Sequence, residues 1–224
     1  MSKAYSASKF ISLFSLVILL FPHDNFAQDS LGTSFKKGRV LLSLSSSTDA
    51  INFYDQDLKS PVQGVQTGFD LKTDAHFFLR DNFSLGGRLE MNKKSIDNLI
   101  ATNQEYFKMS VVFRRYLTKM SNGGIYPEAL LTYGRNFVES SYLQQPTPIN
   151  QSFEGNIFGG GLGVGFTYLV KQHFGIDIGL NYNIYRLSGE NTDKILNTVE
   201  HSEYTELHVS FRVGFVILLH DRKN

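Results

Sequence analysis

The chain has 224 residues, a formal net charge of +1 and no cysteine. This length suits one domain, and the balance of 22 basic against 21 acidic residues excludes a broad cationic surface for nucleic acid. The lack of cysteine excludes thiolate metal sites, thiol nucleophiles and disulfide bonds. No stretch after the N-terminal region reaches the roughly 20 apolar residues of a membrane-spanning helix, so any membrane crossing would be made by strands.

Residues 1–27 have the features of a cleaved export signal. Lys3 and Lys9 give a positive start, residues 10–21 (FISLFSLVILLF) form an apolar core, and Ala27 precedes the predicted cleavage site. A retained anchor is the alternative, which the shortness of the apolar core disfavours. The rest of the chain is divided into a periplasmic lead-in at 28–37, a barrel at 38–219 and a periplasmic tail at 220–224.

Segments with a two-residue alternation of apolar and polar or small side chains follow one another after the lead-in. This period is typical of β-strands whose two faces meet different surroundings. Strands are predicted at 39–47, 66–78, 83–92, 107–114, 125–137, 158–170, 173–185 and 203–219.

The hairpin at 158–185 shows its two faces most clearly. One face of its first strand carries residues such as Leu162, Val164 and Phe166, whereas the other face consists mainly of glycines. A water-soluble barrel would need solvating side chains on its outer face, whereas a membrane barrel turns apolar side chains to lipid and small or polar ones inward. We therefore expect lipid contact at the apolar positions, among them Phe166, Leu180, Val213 and Phe215.

The predicted connections alternate between long and short. Long polar segments occur at 48–64, 93–103, 139–153 and 187–202, and short turns lie between them. Bacterial outer-membrane barrels have an even number of strands, short periplasmic turns and long external loops. The pattern predicts an all-β fold, an eight-stranded antiparallel up-and-down transmembrane β-barrel, whose interior is just wide enough for side chains to fill.

Three segments carry a family resemblance: KKGRVLLSLSSST at 36–48, FFLRDNFSLGGRLEMN at 77–92, and the hairpin at 158–185. They resemble the small outer-membrane β-barrels common in Bacteroidetes, within the wider class of outer-membrane proteins A and X. The resemblance implies a monomer in the outer membrane of a Gram-negative bacterium. Its partners would be outer-membrane lipid, periplasmic chaperones, the barrel-insertion machinery and an extracellular ligand of the loops.

The C-terminal strand resembles the assembly signal of such barrels. That signal has a polar residue, a glycine two positions later and two alternating apolar residues, here Arg212, Gly214, Ile217 and Leu219. The sequence departs from the pattern because the apolar pair is aliphatic and because residues 220–224 (HDRKN) continue beyond it.

The predicted inward faces carry charges of both signs. Because buried charges need partners, we expect a salt-bridge network that plugs the lumen, with no cofactor and no metal. The members of this network are Asp70, Lys72, Asp74, His76, Arg88, Glu90, Lys108, Arg114, Glu128, Asp177, His208 and Arg212.

The sequence favours a structural or loop-mediated envelope role without catalysis. A narrow small-solute channel, a lipid-modifying enzyme and an adhesin remain alternatives. Enzymatic acyl chemistry would need a Ser, a His and a carboxylate near one rim, but His201, Ser202 and Glu203 are neighbours on one strand and face opposite sides. The glycines at 159–165 are not followed by the Lys-Ser or Lys-Thr pair of a phosphate loop.

Overall fold

A computed structural model of the protein describes residues 33–54, 65–97, 101–117, 120–142, 149–170 and 173–219. The predicted export signal, the first part of the lead-in, the turn at 171–172 and the tail at 220–224 lie outside these residues. Within the described ranges, there is no helix of the length and apolar character needed to cross a membrane.

Eight strands form a closed barrel in which each strand pairs antiparallel with the next, and β1 pairs with β8. The predicted fold class and the number and order of the strands are thereby confirmed. The strands are β1 (Val40–Tyr54), β2 (Val65–Arg80), β3 (Phe83–Asp97), β4 (Ala101–Arg115), β5 (Gly123–Tyr142), β6 (Ile149–Val170), β7 (Phe174–Asp193) and β8 (Thr198–Leu219).

The strands extend well beyond their predicted ends, so the predicted long connections are wrong in extent. Only residues 98–100 lie between β3 and β4, and a turn at 194–197 joins β7 to β8. The physical reason is that strand pairing uses backbone groups and tolerates polar side chains on both faces. Beyond the apolar region, the two-residue alternation that marks a strand in sequence is therefore lost.

The two faces of the barrel are reversed relative to a water-soluble one. Along β7, exposed apolar residues such as Ile176 and Leu180 alternate with buried polar ones such as Asp177 and Asn181. Val213 and Phe215 are also exposed on the outer wall, and Phe166 is half-buried on the same face.

The outward apolar positions form a belt around the barrel. On β7 they run from Phe174 to Ile184, followed by the exposed Arg186. The length of this span is close to that of a tilted strand that crosses a bilayer, which is about 9–11 residues.

Exposed ion pairs mark the edge of the apolar belt at the end of the barrel opposite Val40 and Leu219. Lys93 Nζ lies 2.6 Å from Glu105 Oε1 on β3 and β4, and Arg135 Nη2 lies 2.6 Å from Glu154 Oε1 on β5 and β6. Pairs of this kind are solvated and contribute about 0–1 kcal/mol each to stability. Their position shows the level along the barrel at which the apolar outer surface ends.

Candidate functional site

We call the end of the barrel with the β2–β3, β4–β5 and β6–β7 connections the short-turn end. Its interior is filled by apolar and aromatic side chains. Phe35 stacks on Tyr116, and its ring centroid lies 5.7 Å from that of Phe78. We call this group the base plug; it consists of Phe35, Leu41, Phe78, Tyr116, Tyr126, Leu169, Val216 and Leu218. All members are at most 3% exposed, so the packing leaves them almost no contact with solvent.

Phe35 reaches the base plug because residues 33–39 fold across the end of the barrel. The backbone N–H of Asn82 donates to the carbonyl of Phe35 at 2.7 Å, and the N–H of Lys37 donates to the Asp81 carboxylate at 2.7 Å. The Arg39 guanidinium donates to the carbonyl oxygen of Leu219 at 3.2 Å, which ties the segment to the last strand. From sequence we predict a periplasmic lead-in at 28–37 and a strand from residue 39, with no role for Phe35.

Above the base plug lies a layer of three arginines and three carboxylates, which we call the central ionic layer. Each member comes from a different strand, none is more than 4% exposed, and the formal charges cancel. Its members are Asp74, Arg88, Arg114, Glu128, Asp177 and Arg212.

Arg88 and Arg212 bind the same carboxylate from different parts of the wall. Arg88 meets Asp74 with two hydrogen bonds, Nε to Oδ1 at 2.7 Å and Nη2 to Oδ2 at 3.0 Å. Arg212 donates from Nη1 to Asp74 Oδ2 at 2.8 Å. Such charge-assisted pairs are stronger than neutral hydrogen bonds, and here they connect β8 and β3 to β2.

Glu128 is a second centre of the layer. It accepts hydrogen bonds from Arg114 Nη2 at 2.8 Å, Arg88 Nη2 at 3.1 Å and Asn181 Nδ2 at 2.6 Å. Arg114 also lies over the ring of Tyr126, 4.0 Å from its centroid. Several donors for one buried carboxylate offset the cost of removing it from water.

Asp177, the third carboxylate, is held by hydroxyl groups and Arg212. The Tyr126 hydroxyl donates to it at 2.8 Å, Thr167 Oγ1 at 2.5 Å, and Arg212 Nη2 lies 3.1 Å away. Tyr126 lies on the inward face two residues before Glu128, so the two-residue period could have identified it. Tyr126 carries no formal charge, so the pattern of charged residues did not include it.

On the other side of the central ionic layer from the base plug, four more of the predicted charges form an upper ionic layer: Asp70, Lys72, Glu90 and Lys108. Glu90 lies 2.9 Å from Lys108 and 3.3 Å from Lys72, and it accepts a hydrogen bond from the Tyr106 hydroxyl at 2.9 Å. Lys108 also lies over the Tyr106 ring, 3.9 Å from its centroid. The half-buried Asp70 accepts hydrogen bonds from Ser47 at 3.1 Å and Tyr106 at 3.3 Å.

His208 and His76 lie at opposite ends of this charged interior. His208 Nε2 is 2.8 Å from Glu206 Oε2, near a second apolar cluster that contains Phe153, Tyr185 and Leu187. His76 is completely buried beside the central ionic layer.

His76 also contacts a serine and a carboxylate, as an esterase would require. Its Nδ1 lies 3.4 Å from Ser84 Oγ, and its Nε2 lies 3.7 Å from Asp74 Oδ2. The Ser84 and His76 side chains are fully buried, and Asp74 is already bound by two arginines. This trio therefore offers no approach for a substrate.

A second such group lies in water on the outer wall. Ser188 Oγ is 3.4 Å from His201 Nε2, and Glu203 Oε1 is 3.6 Å from the same nitrogen. In a catalytic triad, serine and carboxylate engage opposite nitrogens of the ring, so this geometry is not that of a triad. The Arg186 guanidinium donates to Glu203 and lowers the pKa of that carboxyl. Among the described residues, no group of His, Asp and Glu has the arrangement of a metal site.

The glycines at 159–165 give space to the polar side chains of the interior. A Cβ on Gly163 would lie 2.3 Å from Asn181 Nδ2, and one on Gly165 would lie 2.4 Å from the Tyr126 ring. Glycine is therefore required where neighbouring strands send long side chains across a narrow lumen.

Gly165→Ala should lower the free energy of unfolding by about 1–3 kcal/mol, because the added methyl overlaps Tyr126 and the Ile178 carbonyl oxygen, 2.7 Å away. Gly87→Ala is the matched control, because a Cβ there meets nothing within 4 Å. Denaturant unfolding of both variants in lipid vesicles measures the difference. Equal effects would contradict the crowding of the lumen.

The predicted assembly signal is split between the two faces of β8. Arg212 and Gly214 point inward, whereas Ile217 and Leu219 are 47% and 43% exposed on the outside.

Neither a protein-family model nor a curated protein matches this sequence. Solved structures do match. A major outer membrane protein from Thermus thermophilus aligns with a TM-score of 0.53 and 14% identity over 81% of this chain and 99% of that one. The outer membrane protein AlkL, solved in DMPC lipid bilayers, aligns with a TM-score of 0.52 and 10% identity over 91% and 99%. The fold is thus that of eight-stranded outer-membrane β-barrels.

Proposed function

We propose that this chain is a barrel of the Gram-negative outer membrane with a closed interior, which acts in the envelope through its structure and its water-exposed end and not as an enzyme. The observation that carries the proposal is the reversal of its faces. Leu180, Val213 and Phe215 are exposed on the outer wall, whereas Arg114 and Arg212 are at most 1% exposed inside. In water, the stable arrangement would have polar side chains outside and apolar ones inside. Lipid favours the arrangement seen here, with apolar side chains on the outer wall.

Closure of the barrel supports a monomer surrounded by lipid. The ladder between β1 and β8 runs from Val40 and Leu219 to Tyr54 and Glu206, so the sheet has no free edge at which a second copy could add a strand. The partners in this proposal are outer-membrane lipid and, during assembly, periplasmic chaperones and the insertion machinery. The assembly role of Arg212, Gly214, Ile217 and Leu219 is part of the same proposal.

The layered interior supports a structural role over a small-solute channel. A path along the lumen would have to pass the base plug and then both ionic layers. The described side chains of the base plug and the central ionic layer are nearly inaccessible to solvent, which leaves no open route through them.

Reconstitution into planar bilayers tests this closed state. We expect no steady, solute-sized openings from the unmodified protein, because the base plug and the ionic pairs fill the lumen. Slower gel mobility after boiling would show that the sample was folded before reconstitution. Steady openings from folded protein would contradict the closed interior and favour the channel.

A loop-mediated interaction is supported by the tip of the β7–β8 hairpin. Leu196 is 71% exposed, Val199 is 60% exposed and Ile195 is 47% exposed, although they lie beyond the apolar belt. Exposed apolar side chains gathered at one point outside the belt are typical of interaction sites. We propose that this tip contacts an extracellular ligand.

The apolar tip is held in place by Asp193. Its carboxylate accepts hydrogen bonds from the N–H groups of Ile195 and Leu196 at 2.9 and 3.0 Å, and Asn197 adopts a φ of 53°. These two backbone hydrogen bonds lower the pKa of Asp193.

Asp193→Ala should speed amide hydrogen exchange at Ile195 and Leu196 several-fold at pH 7, because the two N–H groups lose their acceptor. Because the pKa of Asp193 is lowered in the folded state, its ionised carboxylate stabilises the turn at pH values above the pKa of the unfolded chain. This stabilisation is lost as the pH falls through the pKa of the folded state. The difference between unmodified protein and variant should therefore vanish in acid. Glu200→Ala, at an exposed position past the turn, is the control. A difference that persists below the folded pKa would contradict this role of Asp193.

A further inference from the structure

The two ends of the barrel differ in how their surface charges are arranged. At the short-turn end, Lys36, Lys37 and Arg80 are exposed and Arg115 is half-buried. Among the described residues of this end (33–39, 79–83, 115–117, 120–124 and 173), Asp81 is the sole carboxylate. Among these described residues, the three exposed Lys and Arg side chains therefore outnumber the one carboxylate, on a chain whose net charge is only +1.

At the opposite end, exposed cations are paired with carboxylates. Four such pairs are present on the outer wall beyond the apolar belt, and each joins two strands or a strand and the β7–β8 turn. They are Lys93 with Glu105, Arg135 with Glu154, Arg186 with Glu203, and Lys194 with Glu139. Each of these four cations is therefore neutralised by a carboxylate of a neighbouring segment.

The cations of the short-turn end begin where the apolar belt stops. Arg80 directly follows Leu79, which is 42% exposed, and Arg115 is two residues from Leu117, which is 62% exposed. An acyl chain packed on Leu79 or Leu117 would have its headgroup at the level of these cations.

Lys36 and Lys37 are kept at this level by the folded segment that carries them. Phe35 is anchored in the base plug, and Lys37 N–H binds the Asp81 carboxylate. Because the backbone is already fixed, few degrees of freedom would be lost when a headgroup binds.

We propose that Lys36, Lys37 and Arg80 form a binding surface for anionic phospholipid headgroups in the leaflet at the short-turn end. The inference rests on the proposed membrane function. Charge complementarity indicates an anionic headgroup, because its negative charge would neutralise the exposed cations at this end. At the other end, the cations are already neutralised by carboxylates. Lys and Arg residues near an anionic membrane surface are attracted to it, and the attraction decays within a Debye length.

Lipid selectivity measured with spin-labelled lipids tests the proposal. Nitroxide-labelled phosphatidylglycerol and phosphatidylcholine are compared in vesicles that contain the full, refolded protein. We expect about a threefold higher association of phosphatidylglycerol at low salt, and a decrease as salt is added.

A variant with Lys36→Gln, Lys37→Gln and Arg80→Gln should reduce this ratio to nearly one. The matched control replaces three ion pairs of the opposite end, by Lys93→Gln with Glu105→Gln, Arg135→Gln with Glu154→Gln, and Arg186→Gln with Glu203→Gln. It removes as many cations without leaving carboxylates unpaired, and it should keep the ratio. Gel mobility before and after boiling verifies that both variants are folded. Should the triple variant fail to fold, Arg80→Gln alone should lower the ratio, because Arg80 is exposed.

The possible failures are distinguishable. Absence of motionally restricted lipid with either label would overturn the proposed membrane function itself. Restricted lipid with equal association of the two labels would overturn the headgroup site alone. The headgroup site would also be refuted if the ratio fell only in the control variant, or if it did not change with salt. Binding of an acidic protein or polymer to this end, without any lipid preference, would refute it as well.

Discussion

Arg88→Ala should lower the free energy of unfolding by about 3–5 kcal/mol, because it leaves the central ionic layer with a buried, uncompensated negative charge. Arg88 donates to both carboxylate oxygens of Asp74 at 2.7 and 3.0 Å, and to both of Glu128 at 3.1 and 3.3 Å. The remaining arginines cannot replace them without leaving their own partners. The chain has no tryptophan, so unfolding by denaturant in vesicles is best followed by circular dichroism and gel mobility.

Arg135→Ala is the matched control for this effect. Its pair with Glu154 has an N to O distance of 2.6 Å, about that of the Arg88 and Asp74 pair, but the two side chains are 69% and 60% exposed. Solvent screening limits the loss there to less than about 1 kcal/mol. Similar losses for the two variants would mean that water reaches the interior, and the closed lumen would have to be given up.

The faces of the strands could be predicted from sequence because lipid and lumen impose opposite demands on successive residues. On β7, for example, Ile178 and Leu180 face outward and are apolar, while Asp177 and Asn181 face inward and bond to Tyr126 and Glu128 of β5.

The ends of the strands and the base plug could not be predicted in this way. Past the belt, both faces of β7 and β8 meet water or a wide rim, so residues such as Glu190 and Glu200 carry no alternating signal. Phe35 belongs to a segment without periodicity, and only its docking against Tyr116 gives it a role.

Which interior charges pair with one another could not be predicted from the sequence either. Arg212 binds Asp74 across 138 positions, and this contact exists only because β8 returns to β1 and the strands are staggered. A sequence pattern indicates that a side chain points inward, but the closure of the barrel determines which side chain it meets.

Leu180→Arg should lower the free energy of unfolding in vesicles by about 2–4 kcal/mol, because a guanidinium near the middle of the bilayer loses its hydration. Leu180 is 48% exposed and lies near the centre of the β7 belt, between Ile178 and Tyr182. A nitroxide at position 180 should accordingly be accessible to oxygen dissolved in lipid and protected from a polar quencher.

Leu196→Arg is the control that separates lipid from water as the cause. Leu196 is also an exposed leucine of the same hairpin, 71% accessible, but it lies at the β7–β8 turn beyond the belt. Arginine there should change stability by no more than about 0.5 kcal/mol, as surface substitutions usually do. In a water-soluble barrel both positions would be ordinary surface and both variants would be tolerated alike. Equal, small effects, together with a polar quencher reaching a label at position 180, would therefore refute the membrane embedding on which the proposed function depends.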